Sequence, residues 1–228
     1  MEAIVLAGGF GTRLREVVPD LPKPMAPVAG RPFLEILLAS LARKRFTRVV
    51  LSLGYMADKI IDHFGHRYLD MDLVYEVEDT PLGTGGAIRA ALNRCVDDHA
   101  FVFNGDTYLE LESDELERRW QATKQAIIVV REVDDTARFG KVELRDGRIT
   151  AFLEKGEAGP GLINAGCYVL PKNALEDFPA GEPFSLENRF FVPNLQTVHF
   201  NGFITRGLFI DIGVPADYHL AQTLLADL

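Results

Sequence analysis

The segment Gly8-Gly9-Phe10-Gly11-Thr12-Arg13 combines glycines, whose backbone can approach a phosphate closely, with a guanidinium suited to a polyphosphate. Read from Gly9, it runs Gly-x-Gly-x-x-Leu. It therefore lacks the third glycine of a dinucleotide fingerprint, and no Gly-Lys-Ser/Thr follows as in a P-loop. This pattern speaks against a nicotinamide-dependent oxidoreductase. Shortly afterwards, Leu21-Pro22-Lys23-Pro24-Met25 places one lysine between two prolines. Proline restricts its own backbone and that of the residue before it, so Lys23 can be held on a target at lower entropic cost. Arg13 and Lys23 together point to phosphate binding.

These side chains need a framework, and apolar periodicity supplies one. Strands are expected at Ala3–Ala7, Arg48–Leu53, Asp72–Glu76 and Ala100–Asn104, alternating with helices at Pro32–Arg45, Met56–Phe64 and Gly85–Arg94. This is a βαβαβ half of Rossmann-like character, in which ligands bind at the carboxyl ends of the strands. Gly8 and Asp106 both fall there. The second half is read as strands at Ala126–Arg131, Lys141–Leu144, Arg148–Leu153 and Asn164–Leu170, with helices at Ala174–Phe178, Leu186–Phe191 and Pro215–Leu225.

With 228 residues, 47% of them hydrophobic, the chain can bury a full core, and a single α/β domain over residues 1–228 is expected. A net charge of −9 argues against a nucleic-acid partner and favours a divalent cation as the companion of any phosphorylated ligand. No run approaches the about 18 apolar residues of a membrane span, and no signal-peptide pattern opens the chain, so a cytoplasmic protein with no membrane partner is expected. Cys95 and Cys167 lack metal-ligand spacing and read as reduced, buried thiols.

Gly-Gly-x-Gly-Thr-Arg-Leu followed by Pro-Lys-Pro resembles the signature of the sugar-1-phosphate nucleotidyltransferases. The likeness continues through Pro81-Leu82-Gly83-Thr84-Gly85-Gly86-Ala87, Asn104-Gly105-Asp106, Phe152-Leu153-Glu154-Lys155, Asn164-Ala165-Gly166 and Phe209-Ile210-Asp211-Ile212-Gly213. It implies a Rossmann-like three-layer α/β/α fold with a mixed, mostly parallel central sheet. Residues 1–110 would form the nucleotide-binding half and residues 111–228 the sugar-phosphate-binding half. Leu6, Ala7, Gly8, Gly9, Gly11, Thr12, Glu78, Pro81, Gly83, Thr84, Asn104 and Gly105 would contact the nucleotide. Gly140, Glu154, Lys155, Asn164 and Gly166 would contact the sugar phosphate. Arg13, Lys23, Asp106 and Asp211 would carry the catalysis.

The residue chemistry agrees with these roles. Asp106 and Asp211 offer two hard oxygen ligands at strand ends, which suits Mg²⁺, a cation that keeps several waters and takes one or two carboxylates plus substrate phosphates. A sugar phosphate is already an anionic nucleophile, so no general base is needed. Accordingly His63, His66, His99, His199 and His219 read as structural or surface residues.

Glu78, as an acceptor-only carboxylate, suits the adjacent N1–H and amino donors of guanine, and GTP is the expected nucleotide. The overall pattern is most similar to the bacterial D-glycero-α-D-manno-heptose 1-phosphate guanylyltransferases, which implies that heptose phosphate as the acceptor. Phe139 and Lys141 depart from the family pattern, and Lys141 would alter sugar preference if it entered the cleft. Thr107 and Tyr55 are second-rank contacts. Mannose 1-phosphate, N-acetylmuramic acid 1-phosphate, a uridylyltransferase and a non-catalytic regulatory subunit remain as alternatives, and a homodimer is left open.

Overall fold

The near-continuous apolar runs of the first half form strands buried on both faces, as a parallel sheet covered by helices requires. In the computed structural model, which describes residues 1–12, 14, 17–153 and 158–228, these are β1 (Glu2–Leu6), β2 (Arg48–Leu53), β3 (Met71–Val77) and β4 (His99–Asn104). β1 lies between β2 and β4, with Ala3 opposite both Val49 and Phe101, and β3 lies beyond β2. All these pairings are parallel. The crossovers α1 (Phe33–Arg43), α2 (Ala57–Phe64) and α3 (Gly83–Leu92) divide between the two faces. Ala3, Val5, Val49, Leu51, Phe101 and Phe103 pack with α1 and α2, whereas Ile4, Val50, Ala100 and Val102 pack with α3. Successive strand residues point to opposite faces, so this partition gives three layers.

The sheet continues through β6 (Ile127–Val133), β7 (Lys141–Arg145), β8 (Arg148–Phe152), β9 (Gly161–Pro171) and β10 (Asn201–Thr205). β5 (Thr107–Leu109) lies outside this sheet, whose ten-stranded order is β7-β8-β10-β6-β9-β4-β1-β2-β3, ending in the two-residue strand Arg67–Tyr68. β9 is antiparallel to both β4 and β6, and β10 is parallel to β6. The sheet is therefore mixed, with its parallel pairings concentrated in the first half.

Several elements differ from expectation. Residues 174–178 form turns instead of a helix, which is what a segment too short to sustain its own hydrogen bonds adopts. The helix α4 (Ser113–Thr123) was not foreseen, because only Ser113, Leu116 and Trp120 of its sequence are buried. Leu116 and Trp120 are one helical turn apart and enter the core beside α1. β10 was missed because it opens Asn-Gly; Leu144 and Ile149 crowd the space a side chain at position 202 would fill.

A second, two-stranded sheet bears directly on the site. β5 (Thr107–Leu109) pairs antiparallel with β11 (Phe209–Asp211), with Thr107 opposite Asp211. Tyr108, Ile210 and Ile212 join Phe33, Ile36 and residues of α5 (Pro215–Leu224) in a third apolar cluster. Tyr218 on α5 donates to Pro27 O at 2.6 Å. Among the described residues, no helix is long and apolar enough to cross a membrane.

Candidate active site

Residues 7–12 leave the carboxyl end of β1 between the ends of β2 and β4. Ala7 N–H donates to Ser52 O at 2.8 Å and Gly105 N–H to Leu6 O at 2.8 Å, which fixes the start of the turn to both neighbouring strands. At Gly11 the chain takes φ +59°, and a Cβ there would lie 2.8 Å from Lys23 Cβ. Only glycine combines that backbone with that proximity. The result is a cleft of about 390 Å³ lined by Leu6, Ala7, Gly8, Gly9, Phe10, Gly11, Thr12, Lys23, Pro24, Ser52, Glu78, Pro81, Gly83, Thr84, Ala87, Asn104, Gly105, Asp106 and Gly213. All twelve nucleotide-contact positions named from the sequence lie on its wall. Arg13 falls outside the described residues.

Lys23 begins a single 3₁₀ turn, Lys23–Met25, and its ammonium donates to Asp106 Oδ2 at 2.5 Å. Its side chain is only 12% exposed, so the charge is directed inward. Thr107 Oγ1 donates to the other Asp106 oxygen at 3.2 Å. Asp211 is brought alongside by the β5–β11 pair, and its Oδ1 accepts Gly213 N–H at 2.7 Å. Burial pushes the Asp211 carboxyl above the usual carboxylate range, and the charge of Asp106 adds to that, opposed by the Gly213 bond and then by Lys23 and Arg138. Two carboxylates in mutual range offer hard oxygen ligands that suit a divalent cation, while the Lys23 ammonium occupies one Asp106 oxygen. Among the described residues, no group of three or more His, Cys, Asp or Glu could hold a metal. Such a cation would therefore take its remaining ligands from water and phosphate.

At the other end of the cleft, Glu78 follows directly on β3. Its Oε1 accepts from Ser52 Oγ at 3.2 Å and its Oε2 from Leu82 N–H at 2.9 Å. Each oxygen keeps a further lone pair, so the carboxylate is oriented without being saturated. Ser52, which the sequence reading passed over, is the lone hydroxyl in the apolar run Val49–Leu53; that interruption was the available signal.

A second cavity of about 570 Å³ adjoins the first and shares Thr84 and Asn104 with it. Its other lining residues are Phe139, Gly140, Leu153, Asn164, Gly166, Tyr168, Ser185, Leu186 and Glu187. Gly140, Asn164 and Gly166 were named from the sequence; Glu154 and Lys155 fall outside the described residues. A bulge in β9 between Asn164 and Cys167 turns Gly166 to φ +69°, where a Cβ would meet Asn104 Nδ2 at 2.4 Å. Bulges of this kind re-aim side chains beside functional sites. The Lys141 side chain extends over Gly161 and is not among the described lining residues of this cavity.

Tyr168, Ser185, Leu186 and Glu187 were not named as contacts from the sequence, and Leu153, Phe10, Pro24, Ala87 and Gly213 appeared there only inside motifs, without a contact role. Most are apolar or small, and only spatial proximity marks them.

No histidine lines either cavity. His99 lies at the opposite end of β4, with Nδ1 2.6 Å from Asp98 and Nε2 2.8 Å from Glu117, stacked on Trp120. Both thiols are free and buried. Burial pushes Cys95 up to about 12 and Cys167 further, as befits packing residues.

Comparison with known proteins follows the same lines. The sequence matches the family described as nucleotidyl transferase over residues 2–226. It is 40% identical over 223 residues, 97% of each chain, to the D-glycero-alpha-D-manno-heptose 1-phosphate guanylyltransferase of Aneurinibacillus thermoaerophilus. Identity to the Campylobacter jejuni protein of the same description is 36% over 220 residues, covering 96% of this chain and 97% of that one. The crystal structure of HddC from Yersinia pseudotuberculosis complexed with GMP-PN superposes with a TM-score of 0.86 at 39% identity, covering 97% of each chain.

Proposed function

The chain belongs to the nucleotidyl transferase family, and from that premise we propose that it transfers GMP from GTP to D-glycero-α-D-manno-heptose 1-phosphate. Pyrophosphate and GDP-heptose are the products, made in the cytoplasm for surface polysaccharide. The observation that carries this reading is the junction of two cavities at Thr84 and Asn104, with Lys23 and Asp106 on the wall of the first. Two substrates can lie end to end there. Relatives described as heptose 1-phosphate guanylyltransferases, 36–40% identical over nearly the whole chain, support guanine and heptose.

In this reading an oxygen of the sugar phosphate attacks the α-phosphorus of GTP in line. The new P–O bond forms as the bond to the β-phosphate bridging oxygen breaks, and the electron pair departs with pyrophosphate. Two anions must be brought together, so the protein acts by positioning and charge neutralisation. The glycine turn offers backbone N–H groups to the triphosphate. Lys23 supplies a positive charge already fixed in the cleft by Asp106, and Arg13 adds a second. Lys155 holds the attacking sugar phosphate, Asn164 borders the pocket that receives it, and Glu78 accepts from the guanine edge. Asp106 and Asp211 are the residues that would hold Mg²⁺, which when bound offsets the negative charge of the phosphoryl oxygens. No general base is required, which fits the absence of histidine from both linings.

Pyrophosphate release across GTP, UTP, ATP, CTP and dTTP, crossed with heptose, mannose and N-acetylmuramic acid 1-phosphates, tests the proposal. The highest kcat/KM is expected for GTP with heptose 1-phosphate. Absence of release with every pair would overturn it.

A further inference from the structure

Glu187 contributes the only carboxylate to the lining of the second cavity among the described residues. It opens the π-helical turn Glu187–Phe191, a wide turn of a kind concentrated at functional sites. Leu186 N–H, immediately before it, donates to Thr84 Oγ1 at 3.0 Å. Ser185 Oγ accepts Asn188 N–H at 3.2 Å, fixing the start of the turn.

The partner of Glu187 is Asn164. Its Nδ2 donates to Glu187 Oε2 at 3.3 Å and to Tyr168 OH at 2.8 Å, while its Oδ1 accepts Gly166 N–H at 3.0 Å. Both donors of the Asn164 amide are therefore committed within the protein, and one lone pair of its oxygen is left. Glu187 by contrast has one oxygen held by Asn164, and its other oxygen has no donor among the described residues. An oriented carboxylate facing a cavity accepts hydrogen bonds and repels phosphate.

We infer that Glu187 is a specificity-determining residue that accepts hydrogen bonds from hydroxyls of the sugar, and that Asn164 acts largely by positioning it. This inference rests on the proposed function for the identity of the ligand. It fixes the polarity of the acceptor substrate. The phosphate end lies toward Lys23 and Asp106, and the hydroxyl-bearing face lies against Glu187 and the π-helical turn. Discrimination among sugars then depends on which hydroxyls a carboxylate can reach, because a site built to bind a hydroxyl rejects an analogue lacking it far more strongly than it senses added bulk.

The test is calorimetric titration of wild-type protein and Glu187→Gln with heptose 1-phosphate, with a set of monodeoxy analogues of it, and separately with GTP. Glu187→Gln keeps the shape of the side chain and removes the charge. The Kd for heptose 1-phosphate is expected to rise about tenfold or more, the loss associated with a hydrogen bond to a charged group. GTP affinity should change less than about twofold. For at least one deoxy analogue the two proteins should bind alike, because the hydroxyl that Glu187 reads is missing. An equal penalty across all analogues, an unchanged Kd for the parent sugar, or a parallel loss of GTP affinity would each overturn the inference. Binding does not require turnover, so a protein that binds heptose 1-phosphate without releasing pyrophosphate would refute the proposed activity and leave this comparison readable. A wild-type protein that does not bind the sugar phosphate would overturn both.

Discussion

Lys23 and Asp106 meet at 2.5 Å, although one comes from a proline-braced turn after β1 and the other from the loop beyond β4. The contact places a fixed positive charge between the glycine turn and the paired carboxylates. Removing it by Lys23→Ala leaves Asp106 and Asp211 with less opposing charge and the triphosphate without its ammonium. Turnover should fall about 10²–10³-fold, in the range for loss of one preorganised charge-stabilising group. Steady-state pyrophosphate release would show this, and a loss below about fivefold would refute the role.

Asp106→Asn and Asp211→Asn should each lower kcat by roughly 10²–10⁴, about 3–5 kcal/mol of transition-state stabilisation. Magnesium titrations should show a raised requirement in both variants. Retained activity in both would mean that the cation is held elsewhere.

Asp211 also yields a stability prediction of opposite sign. Its carboxyl is pushed above the usual range by burial and by Asp106. Below about pH 4 it is protonated in folded and unfolded chains alike and changes nothing. As the pH rises, the unfolded chain loses this proton first, so folding stability declines. In chelator-treated protein at neutral pH, Asp211→Asn should therefore melt higher than wild type, by up to about 2–4 °C, the shift that ~1 kcal/mol produces in a chain of this size. The Gly213 bond survives, since the amide oxygen also accepts. Thermal melts between pH 4 and 8 should show the difference widening with pH.

Glu78→Gln replaces one acceptor oxygen with a donor nitrogen while keeping the reach of the side chain. Guanine presents two adjacent donors, so kcat/KM for GTP should fall about 10–100-fold, consistent with leaving one polar edge unpaired. Competition between GTP and UTP in one reaction would reveal a narrowed preference. An unchanged ratio would remove Glu78 from base reading.

Gly166→Ala combines an unfavourable φ of +69° with a Cβ aimed at Asn104. Melting should drop by several degrees, corresponding to about 1–3 kcal/mol. Because Asn104 borders both cavities, the affinities for GTP and for sugar phosphate should weaken together.

Much of this architecture was legible in the sequence. Strands β1, β2 and β4 could be found because each is buried on both faces and so reads as a near-continuous apolar run. The glycine turn was legible because close backbone approach restricts residue choice. α4 was hidden because a helix that contributes only Leu116 and Trp120 to the main core leaves too thin a periodic trace. β10 was hidden by Asn201-Gly202 at its start, where small size answers crowding from Leu144 and Ile149, contacts that no local pattern records. Glu187 was invisible for a different reason. Its place in a cavity depends on a turn of unusual pitch, and a lone acidic residue among phenylalanines does not announce one.

The loop before α3 and the segment before the π-helical turn are fastened to one another. Phe184 N–H donates to Leu82 O, Gly85 N–H to Phe184 O, and Leu186 N–H to Thr84 Oγ1, all within 3.0 Å. Residues 82–85, beside the first cavity, and the stretch that leads into Glu187, beside the second, are thus joined by direct hydrogen bonds. A one-residue insertion between Phe184 and Glu187 would change the reading of the sugar and, through the same three bonds, the reading of the base.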